Sequence, residues 1–161
     1  MAIEYTLLLK DGKLTKEMLM GKIESMGYCC DHTEQLPKGI VINLHDQIGF
    51  EVFLSESNHN DSYRVWDIGF LEREFIYEKS LSFRWDKFYL DVDQQYKVML
   101  KLIFELMDEL NGEALLLGSV SQEYCFFREN APLLLNAEYE SSIWKWRHFK
   151  DIITGREVAY V

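Results

Sequence analysis

The chain has 161 residues, 48% of them hydrophobic and 14% aromatic, enough for one domain with a sizeable core and unlike the aromatic-poor composition of disorder. Its 27 acidic and 17 basic side chains give a formal net charge of −10. That balance speaks against nucleic acid, whose phosphates require a surplus of Lys and Arg, and against an anionic membrane surface.

Ile3 to Leu9 is rich in β-formers and ends at Asp11-Gly12, which predicts a strand and a turn. A short helix over about 15–26 follows. Thr15 is its N-cap, Leu14 and Leu19 form a hydrophobic staple, Leu19, Ile23 and Met26 make its apolar stripe, and Gly27 ends it in the left-handed conformation. From Ile40 to Trp85 the period changes to two, with Ile40, Ile42 and Leu44, then Phe50, Val52 and Leu54, then Tyr63 and Val65, then Leu81, Phe83 and Trp85. Asp46 to Gly49 and Ser55 to Ser62 carry turn chemistry between these strands, and Leu71 to Glu78 reads as one more strand.

The longest element is a helix over about 91–111, opened by Asp91 with Gln94 and followed by Gly112. Val92, Tyr96, Met99, Ile103, Leu106 and Leu110 form its stripe, and Leu100, Phe104 and Met107 widen it, so most of its girth must be covered. Ala114 to Leu117, Glu123 to Phe127 and Leu133 to Leu135 then read as short strands, the last two a hairpin, and Ile143 to Ile153 as a short helix or irregular cap. With no repeat or linker, the expected architecture is one α+β domain spanning 1–161: an antiparallel sheet with the long central helix and the shorter N-terminal helix packed on it.

Chemistry-bearing clusters are sparse. Met1-Ala2-Ile3-Glu4-Tyr5 has an early Glu and no basic segment, so no secretory leader is expected, and no apolar run nears the ~20 residues of a membrane span. Three cysteines, two of them adjacent, cannot build a disulfide framework, which points to a reducing, cytoplasmic setting. Cys29-Cys30-Asp31-His32 has zinc-friendly atoms at unsuitable spacing, with His45, His59 and Cys125 isolated, so no metal site and no cofactor is expected. Glu72 with Glu74, or Asp108 with Glu109, could form an acid-base pair of a hydrolase, though carboxylates at this density are usually a solvated face. Trp144-Lys145-Trp146-Arg147-His148-Phe149-Lys150 offers stacking rings beside cations, but on so acidic a chain the expected role of Trp144 and Phe149 is packing on the sheet.

The segment order Ser80-Leu81-Ser82-Phe83-Arg84-Trp85-Asp86-Lys87, long helix, Gly112-Glu113-Ala114-Leu115-Leu116-Leu117, Pro132-Leu133-Leu134-Leu135-Asn136, Trp144, together with the opening Ile3-Glu4-Tyr5-Thr6-Leu7, resembles the immunity proteins of swarm-inhibition toxin-immunity systems. The resemblance implies a small cytoplasmic protein that protects its producer from a cognate delivered toxin. It would be a stoichiometric binder rather than an enzyme. The apolar girth of the 91–111 helix, which a second sheet face or a partner subunit could cover, leaves monomer and homodimer both open. Net charge adds the expectation of a basic toxin, with Asp31, Glu34, Glu138 and Glu140 standing in for phosphates if that toxin acts on nucleic acid. The alternatives are a generic acidic protein-protein interaction or regulatory domain and, third, a hydrolase using acidic residues.

Overall fold

A computed structural model describes residues 3–55, 64–139 and 147–161. In chain order its strands are β1 (Ile3–Leu9), β2 (Thr33–Leu36), β3 (Gly39–Asn43), β4 (Phe50–Ser55), β5 (Arg64–Ile68), β6 (Arg73–Tyr77), β7 (Lys79–Trp85), β8 (Ala114–Leu117), β9 (Glu123–Phe127), β10 (Leu133–Leu135) and β11 (Val158–Tyr160). The helices are α1 (Lys16–Ser25), α2 (His45–Ile48), α3 (Val92–Leu110) and α4 (Arg147–Ile153).

Among the described residues, nine strands form one sheet in the order β11-β10-β9-β8-β1-β7-β4-β3-β2, and β5 pairs with β6 as a separate hairpin. All pairs are antiparallel except β10 with β11, where the chain returns after α4. This is the expected α+β fold. The long helix and the N-terminal helix lie where the periodicity put them, and Thr15 caps α1 by accepting the amide of Met18 at 3.2 Å.

The sheet is covered differently along its width, and the side-chain pattern shows why. On the helix face Leu7, Leu81, Phe83, Val52, Ile42, Leu116 and Leu135 are buried with α1, α3 and Phe149 of α4. On the other face the β5–β6 hairpin covers the β1-β8-β9-β10 part, where Leu8, Leu115, Leu117 and Phe126, with Leu134 beside them, meet Ile68 and Phe75. Strand β8, Ala114-Leu115-Leu116-Leu117, is therefore buried on both sides and reads as an unbroken apolar run. By contrast β4 and β7 alternate, leaving Phe53, Ser82 and Arg84 on a face the hairpin does not reach.

Several local expectations are corrected. Asp46 to Gly49 is not an open turn: His45–Ile48 forms the single-turn helix α2, ended by Gly49 at φ 76°. In β5 the buried side chain is Ile68, with Trp66 packed beside it, while Val65 is 47% exposed because the hairpin presents it outward. On α3, Val92 is 48% exposed at the first helical position, whereas Gln95, Val98 and Leu102 are buried, because α1, α2 and α4 pack against the helix and cover more than one stripe. Asn111, not Gly112, takes the left-handed cap, at φ 46°. Its side chain explains this, donating to Asn130 Oδ1 at 2.9 Å and accepting the Asn130 amide at 3.1 Å, so that the helix end is clasped to the β9–β10 turn. Strands β2 and β11, short and at the two sheet edges, were not foreseen. Within the tail, Phe149 is fully buried and meets Phe104 edge-on with ring centres 5.8 Å apart. Tyr63, most of the Ser55 to Ser62 turn, His59, Trp144 and Trp146 lie outside the described residues.

Candidate binding surface at one end of the sheet

Register decides which connectors share an end. Ile3 pairs with Trp85, Trp85 with Phe50, Glu51 with Asn43, and Leu117 with Thr6. The segments after β3, β7 and β8 therefore emerge where β1 begins. The approach to β2 lies there too, since the Asn43 amide donates to His32 O at 2.8 Å. So does the segment after β10, where Asn136 Nδ2 donates to Glu123 O at 2.8 Å.

This end is acidic. Its described connectors carry Asp31, Asp46, Asp86, Asp91 and Glu138 against Lys87, with His32 and His45 cationic only if protonated. At the opposite end Lys10, Lys13, Lys38, Arg128 and Arg156 offset the carboxylates. The charge of −10 is thus unevenly laid out, and an approaching cation is drawn toward the β1-start end.

The four acidic residues singled out from sequence do not form one cluster. Asp31 is exposed just before β2, and Glu34 is exposed on β2, in register with Val41 on the face of the sheet that carries the hairpin further along. Glu138 is exposed after β10, with six strands between β10 and β2, and its amide is bonded to Asn136 Oδ1 at 3.1 Å. Glu140 lies outside the described residues. What connects Asp31 with Glu138 is the row of connectors between them.

Beside Asp31 a shallow depression of about 320 Å³ is lined by Cys29, Asp31, His32, Asn43, Asp46 and Gln47. The Gln47 carboxamide holds it, accepting from Cys29 N at 2.7 Å and donating to Cys29 O at 2.8 Å. A hydrogen bond to Asp31 keeps the exposed Cys29 thiol above its ordinary range, and burial pushes the Cys30 thiol up to about 11. Neither is an activated nucleophile. Among the described residues no group of three His, Cys, Asp or Glu is placed to hold a metal ion.

The carboxylate pairs considered for acid-base work are not assembled as dyads. Asp108 takes both guanidinium nitrogens of Arg156, at 2.6 and 2.8 Å, while Glu109 binds Lys22 at 2.6 Å. Glu72 and Glu74 are both exposed. Glu123, on β9, serves the fold: it accepts from Trp66 Nε1 at 2.8 Å and from the amides of Gly69 and Phe70 at 3.1 and 3.3 Å, pinning the hairpin to the sheet.

The most unusual connector is 86–91, between β7 and α3. Sequence reasoning passed over it, although the apolar run Phe88-Tyr89-Leu90 set among Asp86, Asp91 and Asp93 was a visible signal. Its backbone is tied at both ends. Asp86 N donates to Gly49 O at 2.8 Å, Asp86 Oδ1 accepts from Phe88 N at 2.9 Å, and Asp91 Oδ1 caps α3 at Gln94 N at 3.1 Å. Buried Gln95 donates to Gly49 O at 2.7 Å and to Asp86 O at 3.3 Å, joining the loop to the end of α2. Tyr89 turns inward onto Gly49 and donates to Gln47 O at 3.4 Å. Across β1, the β8–β9 turn carries Val120, 85% exposed with φ 61°, a conformation β-branched residues avoid.

What the described residues define is an α+β protein whose sheet has one acidic, partly apolar end, and no helix among them is long and apolar enough to cross a membrane. The family model described as SitI3-like matches residues 3–146, and the chain belongs to that family. This membership agrees with the resemblance read from the segment order and marks the chain as of the immunity type. No curated protein and no solved structure matches it.

Proposed function

We propose that the chain is a cytoplasmic immunity protein that binds a cognate bacterial toxin and neutralises it by stoichiometric occlusion, acting as one domain without chemistry of its own. The observation that carries this reading is the family match across residues 3–146. Occlusion requires complementary shape and opposite charge at the contact, and both can be supplied by a rigid sheet end. The carboxylates at that end favour a basic toxin. If the toxin acts on nucleic acid, Asp31, Glu34, Glu138 and Glu140 are the groups that would take phosphate positions.

The test is a titration of the purified chain against the toxin encoded by the neighbouring gene, at low and moderate salt, beside a growth-rescue assay. Tight one-to-one binding with rescue is expected, with an on-rate that falls at least about tenfold as salt screens the acidic end. No binding and no rescue would reject this pairing and leave a generic acidic interaction domain as the better description. Unchanged on-rate after neutralising Asp31 with Glu34, or Glu138 with Glu140, would reject those residues as toxin contacts.

A further inference from the structure

Phe88 is 79% exposed and Leu90 is 100% exposed, on a connector that is otherwise tightly held. Side chains of this size gain strongly from burial, and Tyr89 between them is half-buried against Gly49. Poor fit is therefore not what leaves its neighbours outside. The hydrogen bonds accepted by Gly49 O and by the Asp86 and Asp91 side chains, and the one that Gln95 donates to Asp86 O, set the backbone at both ends of the loop, so Phe88 and Leu90 are presented on a frame that is already ordered. Large apolar side chains held in advance, inside a charged rim, are the anatomy of the few residues that dominate a protein-protein contact.

We infer that Phe88 and Leu90 are the anchor of the toxin contact, inserting into an apolar cleft on the toxin that is flanked by Lys or Arg. This rests on the immunity reading above and assigns its surface. Charge selects the occupant. Asp86, Asp91 and Asp93 flank the two residues in the chain, and the local cation, Lys87, stands over the Phe88 ring with Nζ 5.2 Å from its centre. A second copy of the chain is the wrong partner, because a two-fold contact through this loop would bring the same aspartates together on two bodies each carrying −10.

The experiment compares the wild type with the double variant Phe88→Ser/Leu90→Ser, titrated by calorimetry against the purified toxin of the neighbouring gene. A second double variant, Val65→Ser/Ile76→Ser, removes a different exposed apolar pair, cross-strand partners on the β5–β6 hairpin that are 47% and 52% exposed. The loop variant should weaken binding at least about 100-fold and abolish growth rescue. The hairpin variant should bind like the wild type. Circular dichroism should give melting temperatures within about 2 °C for all three proteins, because the replaced side chains are at the surface.

Failure of the wild type to bind would overturn the immunity reading and this inference with it. Wild-type binding with the loop variant equally tight would overturn the inference alone, as would loss of binding in the hairpin variant only. Sedimentation covers the other occupant: a wild-type dimer that the loop variant converts to monomer would assign the loop to self-association and overturn the toxin anchor.

Discussion

Adding one methyl group at Gly49 probes the frame beneath the exposed loop. Gly49 ends α2 at φ 76°, and a Cβ there would lie 2.3 Å from Tyr89 Cγ and 2.5 Å from Gln95 Nε2. Neither neighbour can retreat freely. Tyr89 sits in a connector tied at both ends, and Gln95 is buried with its amide committed to Gly49 O at 2.7 Å. The left-handed backbone costs an alanine about 1 kcal/mol, and forcing the packed ring and amide aside costs about 1–3 kcal/mol more. Gly49→Ala should therefore destabilise the fold by about 2–4 kcal/mol, lowering the urea midpoint by about 1–2 M for a chain of this size. Gly21 is the internal control: it lies in α1 with nothing within 4 Å of its Cβ position, so Gly21→Ala should stabilise by about 0.5–1 kcal/mol. The same Gly49 substitution shifts Tyr89 and, with it, Phe88 and Leu90, so toxin affinity should fall in protein that is still folded. A change below about 0.5 kcal/mol, with the urea dependence unaltered, would refute the steric reasoning.

Three further outcomes are expected. In the native protein at pH 8 iodoacetamide should modify Cys29, more slowly than a free thiol because of Asp31, while fully buried Cys125 and largely buried Cys30 should react only on unfolding; mass spectrometry showing two or three adducts at the native rate would contradict this burial. Tyr5, raised by burial and by its hydroxyl contact with Tyr96, and Tyr96, raised by burial, both resist ionisation in the folded state, whereas unfolding releases them to tyrosine's ordinary value of 10.0. Their contribution to stability is complete below about pH 10 and is lost as pH rises above it, so denaturant midpoints should fall steeply there, and less steeply in Tyr5→Phe/Tyr96→Phe. Finally, Asp108→Ala should cost under about 1 kcal/mol, since the Arg156 pair is partly solvated. Arg156→Ala should cost about 1–2 kcal/mol, as it also loses the stack 4.9 Å above Phe104 and the bond to Ile152 O at 2.9 Å.

Elements whose signal is local were legible before any coordinates. The first strand and its helix follow from β-branched and aromatic clustering, the Thr15 cap and Gly27, and α3 from a long amphipathic run opened by Asp91. Short edge strands carry no such signal. Thr33-Glu34-Gln35-Leu36 has little to bury, and β11 exists only because β10 offers it backbone partners. Val92 shows the limit of periodicity: it continues the α3 stripe in sequence, yet the helix begins beyond the edge of what the sheet covers, so the side chain faces water.

The candidate surface divides the same way. Net charge, and the type of residue at Asp31, Glu34 and Glu138, are properties of the sequence, and so is the apolar run Phe88-Tyr89-Leu90 between a strand and a helix cap. Which of these groups share an end is a matter of strand register, because one residue of slip reverses a side chain and strand order sets its neighbours. That Tyr89 goes inward while Phe88 and Leu90 remain outside depends on contacts with Gly49 and Gln47, residues far back along the chain that only the folded sheet brings beneath the loop, where Gln95 at the start of α3 ties them to it.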